Sequence, residues 1–266
     1  MAFTRDNILW NYIGEAPLPL AFERTLEGAV YSKQQFIRPI LDIGCGEGIF
    51  AKIVFAEKID VGIDPNAREL ERARALDAYE RLIECYGDRI PGDNGSFNTI
   101  FSNSVIEHIP DIEPVLREAH RLLAPGGRFY MTVPSENFER FTVLTQLLMM
   151  LGLQKQAEKY RRFFNNFWRH YHAYPLDQWK ELVTRNGFVV VESFNYDPKR
   201  IAVLNDFLVP FSLVGFVMKK LTNRWTILPP LRRILLSPIY ALANPYLRGG
   251  DRAERGGLVF LSLTRN

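Results

Sequence analysis

The chain has 266 residues, 47% of them hydrophobic and 24% charged, with a formal net charge of +3 and two cysteines. That length fits one elaborated domain of ordinary globular composition, which excludes intrinsic disorder and collagen-like fibre. Cys45 and Cys85 cannot build a disulfide framework, no Cys/His pair has zinc spacing, and the charge is too small to imply a nucleic-acid partner, so no metal and no nucleic acid are expected.

Arg5, Asp6 and Glu15 precede any long apolar run, so the apolar core of a signal peptide is missing and a cytoplasmic location is expected. Residues 1–38 are expected to form a helical cap. From there, short apolar runs alternate with polar helical stretches. Strands are predicted at Pro39–Ile43, Val61–Ile63, Arg81–Tyr86, Phe97–Ser102 and Arg128–Val133, and helices at Asn66–Ala75 and Asp111–Leu123. Asn66 can cap the first of these helices, and Pro125-Gly126-Gly127 stops the second. Such alternation is the pattern of a doubly wound α/β fold with a parallel sheet. No repeat interrupts it.

Residues 39–134 thus form a core, and residues 135–186 read as a helical insertion or lid. Phe141–Leu153 is apolar, Gln154–Phe164 basic and aromatic, and Leu176–Arg185 a helix stopped near Gly187. Residues 187–266 hold two last strands, Phe188–Phe194 and Gly257–Leu263, separated by an insertion at about 197–256. A connection that long has structure and purpose of its own.

The strongest signal is Ile40-Leu41-Asp42-Ile43-Gly44-Cys45-Gly46-Glu47-Gly48, a strand entering a glycine turn, with a helix expected near Glu47. A second strand ends in Asp64, where a carboxylate can hydrogen-bond ribose hydroxyls. The third glycine of a dinucleotide fingerprint would fall at Ile49. Asp42 and Glu47 would repel a pyrophosphate, whereas Asp42 suits the cationic amino end of a methionine moiety. The charge pattern favours S-adenosylmethionine.

The sequence resembles the class I S-adenosylmethionine-dependent methyltransferases, especially the type 11 group of small-molecule methyltransferases. The resemblance runs from Ile40 to Pro134, through Gly62-Ile63-Asp64, Gly87-Asp88, Ser102-Asn103-Ser104-Val105-Ile106-Glu107-His108-Ile109 and Leu122-Leu123-Ala124-Pro125-Gly126-Gly127. It implies a seven-stranded, mostly parallel, Rossmann-like sheet whose seventh strand, Leu258–Leu263, runs antiparallel beside the sixth. It implies that Asp42, Gly44 and Gly46 surround the methionine end, Asp64 binds ribose, Asp88 sits near the adenine amino group and Asn103 closes the site, with Cys45, Pro65 and Arg89 also expected to bind the cofactor. No Asn-Pro-Pro-Tyr motif follows the fourth strand, which removes the main reason to expect methylation of base nitrogens.

Transfer to a hydroxyl benefits from a base. His108 lies just past the fourth strand, at the sheet edge where α/β proteins bind ligands, and His170 and His172 fall in the aromatic cluster Trp168–Tyr174 of the lid. The bland alternatives are a Glu-His pair ordering the turn before Pro110 and aromatic packing of the lid.

Within the late insertion, Lys199–Arg248 holds eight basic residues against one acidic residue, Asp206, a local charge of +7. Its apolar runs, Phe207–Met218 and Ile234–Ala243, are each read as too short to span a bilayer. Apolar faces flanked by cations suit an anionic membrane surface, which points to a peripheral enzyme at the inner face of a membrane acting on a lipid, isoprenoid, quinone or lipid-linked sugar. The alternatives are a soluble sugar or secondary-metabolite methyltransferase with the insertion as lid or homodimer arm, a non-catalytic scaffold, and, distantly, a nicotinamide-dependent oxidoreductase.

Overall fold

The computed structural model describes residues 1, 3, 7–222 and 224–265; Arg5 and Asp6 lie outside the described residues. Seven strands, β1 (Ile40–Ile43), β2 (Ile59–Asp64), β3 (Tyr79–Glu84), β4 (Phe97–Asn103), β5 (Leu123–Pro134), β6 (Phe188–Pro198) and β7 (Gly256–Arg265), form one sheet in the order β3-β2-β1-β4-β5-β7-β6. Pairing is parallel from β3 to β5, and β7 runs antiparallel to both β5 and β6. The class I methyltransferase arrangement expected from the sequence is therefore the fold. Its strand order reverses between β1 and β4, so the crevice for a ligand opens at the carboxyl ends of those strands.

Two apolar layers sandwich the sheet. On one face pack α1 (Ile8–Glu15), α2 (Leu18–Tyr31), α3 (Ile49–Val54) and α4 (Ala67–Leu76). On the other pack α5 (Glu113–Leu122) and α8 (Leu176–Arg185). Local chemistry sets the boundaries. The Asn66 side chain accepts from the Arg68 amide at 3.1 Å and caps α4, as side-chain oxygens do for the unpaired amides of a first turn. Pro175 precedes α8, whose fully buried Trp179 donates to the Pro134 carbonyl at 3.0 Å and ties the helix to the end of β5. The glycine-turn helix starts at Ile49, two residues later than expected, because Gly48 holds φ at 77° and serves as its cap.

The insertions are helical: α6 (Val143–Met150) and α7 (Gln154–Trp168) after β5, then α9 (Lys199–Leu208), α10 (Leu213–Thr222), α11 (Pro229–Leu235) and α12 (Ser237–Leu247) between β6 and β7. One expectation is corrected. The run Phe207–Met218 by itself is too short to span a membrane, yet Lys199–Thr222 is one 24-residue helical stretch, long and apolar enough to cross a bilayer by length and composition. Pro210 does not break it, since it sits in the first turn of a 3-10 segment, Val209–Ser212, that joins α9 to α10.

Candidate active site

The glycine turn runs over the carboxyl ends of β1 and β2. Gly44 holds φ at 80°, and a Cβ there would lie 2.4 Å from a Val105 methyl, so no larger residue fits. A Cβ on Gly46 would meet nothing within 4 Å, which leaves open space over the backbone. Asp64 faces that space. One of its oxygens accepts from the Gly46 amide at 3.0 Å and the other from the Asn66 amide at 2.8 Å. Burial raises its pKa, while those two amides oppose the rise. The Asp64 carboxylate is thus pinned to the glycine turn, and the arrangement fits an adenosyl sulfonium cofactor.

The other sequence-selected residues take different places. Asp42 is buried beneath the turn and accepts from the Tyr79 hydroxyl at 2.7 Å; burial lifts its pKa to about 7, with that hydrogen bond pulling the other way. Cys45 is buried beside Gly62, and burial pushes its thiol up. Pro65, Asp88 and Arg89 are exposed on the loops after β2 and β3. Asn103 donates to Glu27 at 2.9 Å and accepts from the Thr132 hydroxyl at 2.9 Å, so both ends of its amide are held by protein.

Beside the turn, past the ends of β4 and β5, lies a cavity of about 310 Å³. His108 and His170 share its wall with ring centroids 5.0 Å apart. His172 is elsewhere: its ring nitrogens meet the Tyr174 hydroxyl at 2.6 Å and the Ile109 carbonyl at 2.9 Å, and it lines a separate groove beside α8. The structure brings two of the three histidines together and leaves the third as a tie for the lid. Burial lowers the pKa of both cavity histidines, that of His170 to about 4, so both are neutral at pH 7. The His108 Nδ1 lies 3.3 Å from the Arg169 carbonyl, and a proton held there would leave Nε2 free to accept one.

Sequence reasoning missed the acids. Glu107, beside His108, is buried, and desolvation raises its pKa to about 8. Glu27 on α2 is fully buried and accepts from Arg24, from Asn103 and from the Ser104 hydroxyl. Asp197, at the end of β6, is buried with φ at 60° and lines the cavity. The Glu23, Arg24 and Glu27 spacing on an amphipathic helix looks like a solvated face, and nothing local distinguishes it from a buried network.

The late insertion clasps the cofactor turn. Trp225 Nε1 donates to Glu47 at 2.7 Å, Lys219 lies 3.2 Å from Glu69 and 3.6 Å from Glu47, and Arg72 also pairs with Glu47. Arg233 turns inward to Asn11 at 3.4 Å. Part of the +7 charge therefore neutralises the protein's own acids, which the sequence assigned to a membrane or to solvent.

The methyltransferase-domain family matches residues 20–193, well over half of the chain. The ubiquinone biosynthesis O-methyltransferase of Pseudomonas aeruginosa is 28% identical over 137 residues, 47% of this chain and 58% of that protein, so the match spans little more than half of the curated relative. Among solved structures, a SAM-dependent methyltransferase from Thermotoga maritima superposes with a TM-score of 0.56 at 18% identity, covering 94% of this chain and 92% of that one. A Haemonchus contortus phosphoethanolamine N-methyltransferase 2, in complex with S-adenosyl-L-methionine, gives 0.54 at 18% identity, covering 94% and 53%. The family match over residues 20–193 establishes that the chain belongs to the methyltransferase-domain family, and the seven-stranded sheet and the structural likenesses give it the class I S-adenosylmethionine-dependent methyltransferase fold.

Proposed function

We propose that the enzyme methylates a hydroxyl oxygen on a small amphiphile that it takes from a membrane surface. The observation that carries this reading is the wall of the cavity. Trp168, Val209, Phe216 and Trp225 line it, while the same and adjoining helices present Met150, Phe211, Val214, Leu221, Leu235 and Leu242 to solvent. Val214 is 74% exposed, Leu221 76% and Leu242 77%. A chain that spends so much apolar surface around one cavity is suited to an interface, since monomeric proteins seldom leave large contiguous apolar patches in water. Lys220 and Arg224 are exposed beside this collar and can meet anionic headgroups. The likeness to a ubiquinone biosynthesis O-methyltransferase supports an oxygen acceptor.

S-adenosylmethionine supplies an activated methyl group, so the chain's own part is to hold the acceptor in line, exclude water and take the hydroxyl proton. His108 Nε2 is the proposed proton acceptor, on the cavity wall and neutral at pH 7. The clasp between Trp225 and Glu47 favours a second role for the insertion, as a lid that links the acceptor cavity to the cofactor turn.

Two outcomes follow. Vesicles of phosphatidylglycerol should co-sediment the protein, and Val214→Asp with Leu221→Asp should weaken that binding about a hundredfold, since two large apolar side chains contribute roughly 3 kcal/mol or more on burial. Equal sedimentation of both proteins, or of neither, removes the membrane step, and a dimer seen by light scattering would then assign the collar to self-association. The second outcome concerns pH. Because His108 ionises below its ordinary range, activity should fall as acidification carries the pH below that range and the base takes up a proton. His108→Gln should lose at least a hundredfold in kcat and show no such acid limb; an unchanged limb in that variant would assign the proton to another group.

A further inference from the structure

Five side-chain atoms on the cavity wall are buried without a hydrogen-bond partner: Glu107 Oε2, His170 Nδ1, Asp197 Oδ1, Asn205 Oδ1 and Ser212 Oγ. Glu107 is 3% exposed, Asp197 2% and Ser212 6%. A buried polar atom left unpaired is costly, and five converging on one cavity point to a ligand that pairs them. Asp197 adds a second sign, since a left-handed backbone at a non-glycine residue is a strain that functional sites retain.

Charge narrows the ligand. Among the described residues lining the cavity, Arg24 is the one arginine or lysine, and its guanidinium is already bound to both oxygens of Glu27, with Glu23 3.6 Å away. Glu23, Glu107, Asp197 and Asp206 all border the same space. A phosphate or carboxylate would enter a desolvated site with no uncommitted cation to meet it. An ammonium would need an ionised carboxylate, whereas burial raises the pKa of Glu107 to about 8 and lifts that of Asp197 above its ordinary range, which disfavours the charged form of each. Two carboxyls whose charged forms burial disfavours, an imidazole, an amide oxygen and a hydroxyl form a mixed set of donors and acceptors, which matches groups that both give and take hydrogen bonds.

We infer that the acceptor carries an uncharged polar end with at least two hydroxyls, lodged among Glu107, His170, Asp197, Asn205 and Ser212, while its apolar part lies along Phe216, Val209 and Trp168. Two hydroxyls are the minimum because a single one makes about three hydrogen bonds and five atoms await partners. The inference rests on the acceptor reading of the cavity given above.

Trp168 and Trp225 line the cavity, so their fluorescence reports occupancy. The test titrates the protein, saturated with S-adenosylhomocysteine, with three probes of one chain length below their micelle concentrations: octyl glucoside, octyl phosphate and octylamine. Octyl glucoside should bind at least tenfold more tightly than either charged probe, and Asn205→Leu with Ser212→Ala should weaken it about tenfold while leaving the charged probes unchanged. Melting curves with and without S-adenosylhomocysteine establish that the variant is folded and holds its cofactor. Octyl phosphate or octylamine binding as tightly as the glucoside would overturn the inference, as would a glucoside affinity unmoved by the double variant. Loss of S-adenosylhomocysteine binding by the parent protein would instead strike at the methyltransferase reading itself.

Discussion

Replacing Glu27 with alanine is expected to destabilise the protein by about 3–5 kcal/mol, the cost of stranding a buried charge whose partner is removed. Glu27 is fully buried, and its two oxygens hold the Arg24 guanidinium at 2.5 and 2.7 Å, the Asn103 amide at 2.9 Å and the Ser104 hydroxyl at 2.6 Å. Burial works against the Arg24 charge and Glu27 and Glu23 outweigh it; because a guanidinium is not deprotonated in proteins, Arg24 stays charged when Glu27 is gone. The variant would leave that charge with only Glu23 and would free Asn103 and Ser104 at the end of β4. For a chain of this size the melting temperature should fall by roughly 6–15 °C. Glu27→Gln keeps an oxygen for the two β4 side chains and should lose less. A melting temperature for Glu27→Ala within 2 °C of the parent would show that the network contributes little.

Asp64→Ala should weaken S-adenosylhomocysteine binding at least a hundredfold. Two losses combine: the carboxylate proposed to meet the ribose, and the two charge-assisted hydrogen bonds that hold the Gly46 and Asn66 amides in place. The cofactor turn has no side-chain substitute, because Gly46 is open on its ligand side and Gly44 has no room for a Cβ. At a ligand concentration 100 times the parent dissociation constant, the parent gains about 2.7 kcal/mol from binding and should melt several degrees higher, while the variant should gain almost nothing. A shift that survives in Asp64→Ala would move ribose recognition to another residue. A parent protein stabilised by NAD and not by S-adenosylhomocysteine would contradict the cofactor.

How much of this was legible depended on sequence separation. The glycine turn, Asp64 and the alternating strands lie within a few dozen residues of one another, so spacing alone predicts a nucleoside crevice at the carboxyl ends of β1 and β2. The same economy placed His108, directly after β4. Its neighbour Glu107 was passed over because a carboxylate beside a turn is ordinarily solvated, and only its burial under the lid sets it apart. The late insertion misled for a related reason. Lys219 and Arg233 sit among exposed apolar residues in the sequence, yet their ammonium and guanidinium groups reach across the fold to Glu47, Glu69 and Asn11.

The sequence by itself determined the sheet, its crossover pattern and the cofactor class, because hydrophobic period, helix caps and glycine geometry act over short stretches of chain. Only the tertiary structure decided which polar groups are buried. Joining α2, β4, β6 and the two insertions around one cavity removes Glu27, Glu107 and Asp197 from water, and burial, which no local pattern encodes, turns Glu107 and Asp197 into cavity wall and Glu27 into the anchor of the network beside it.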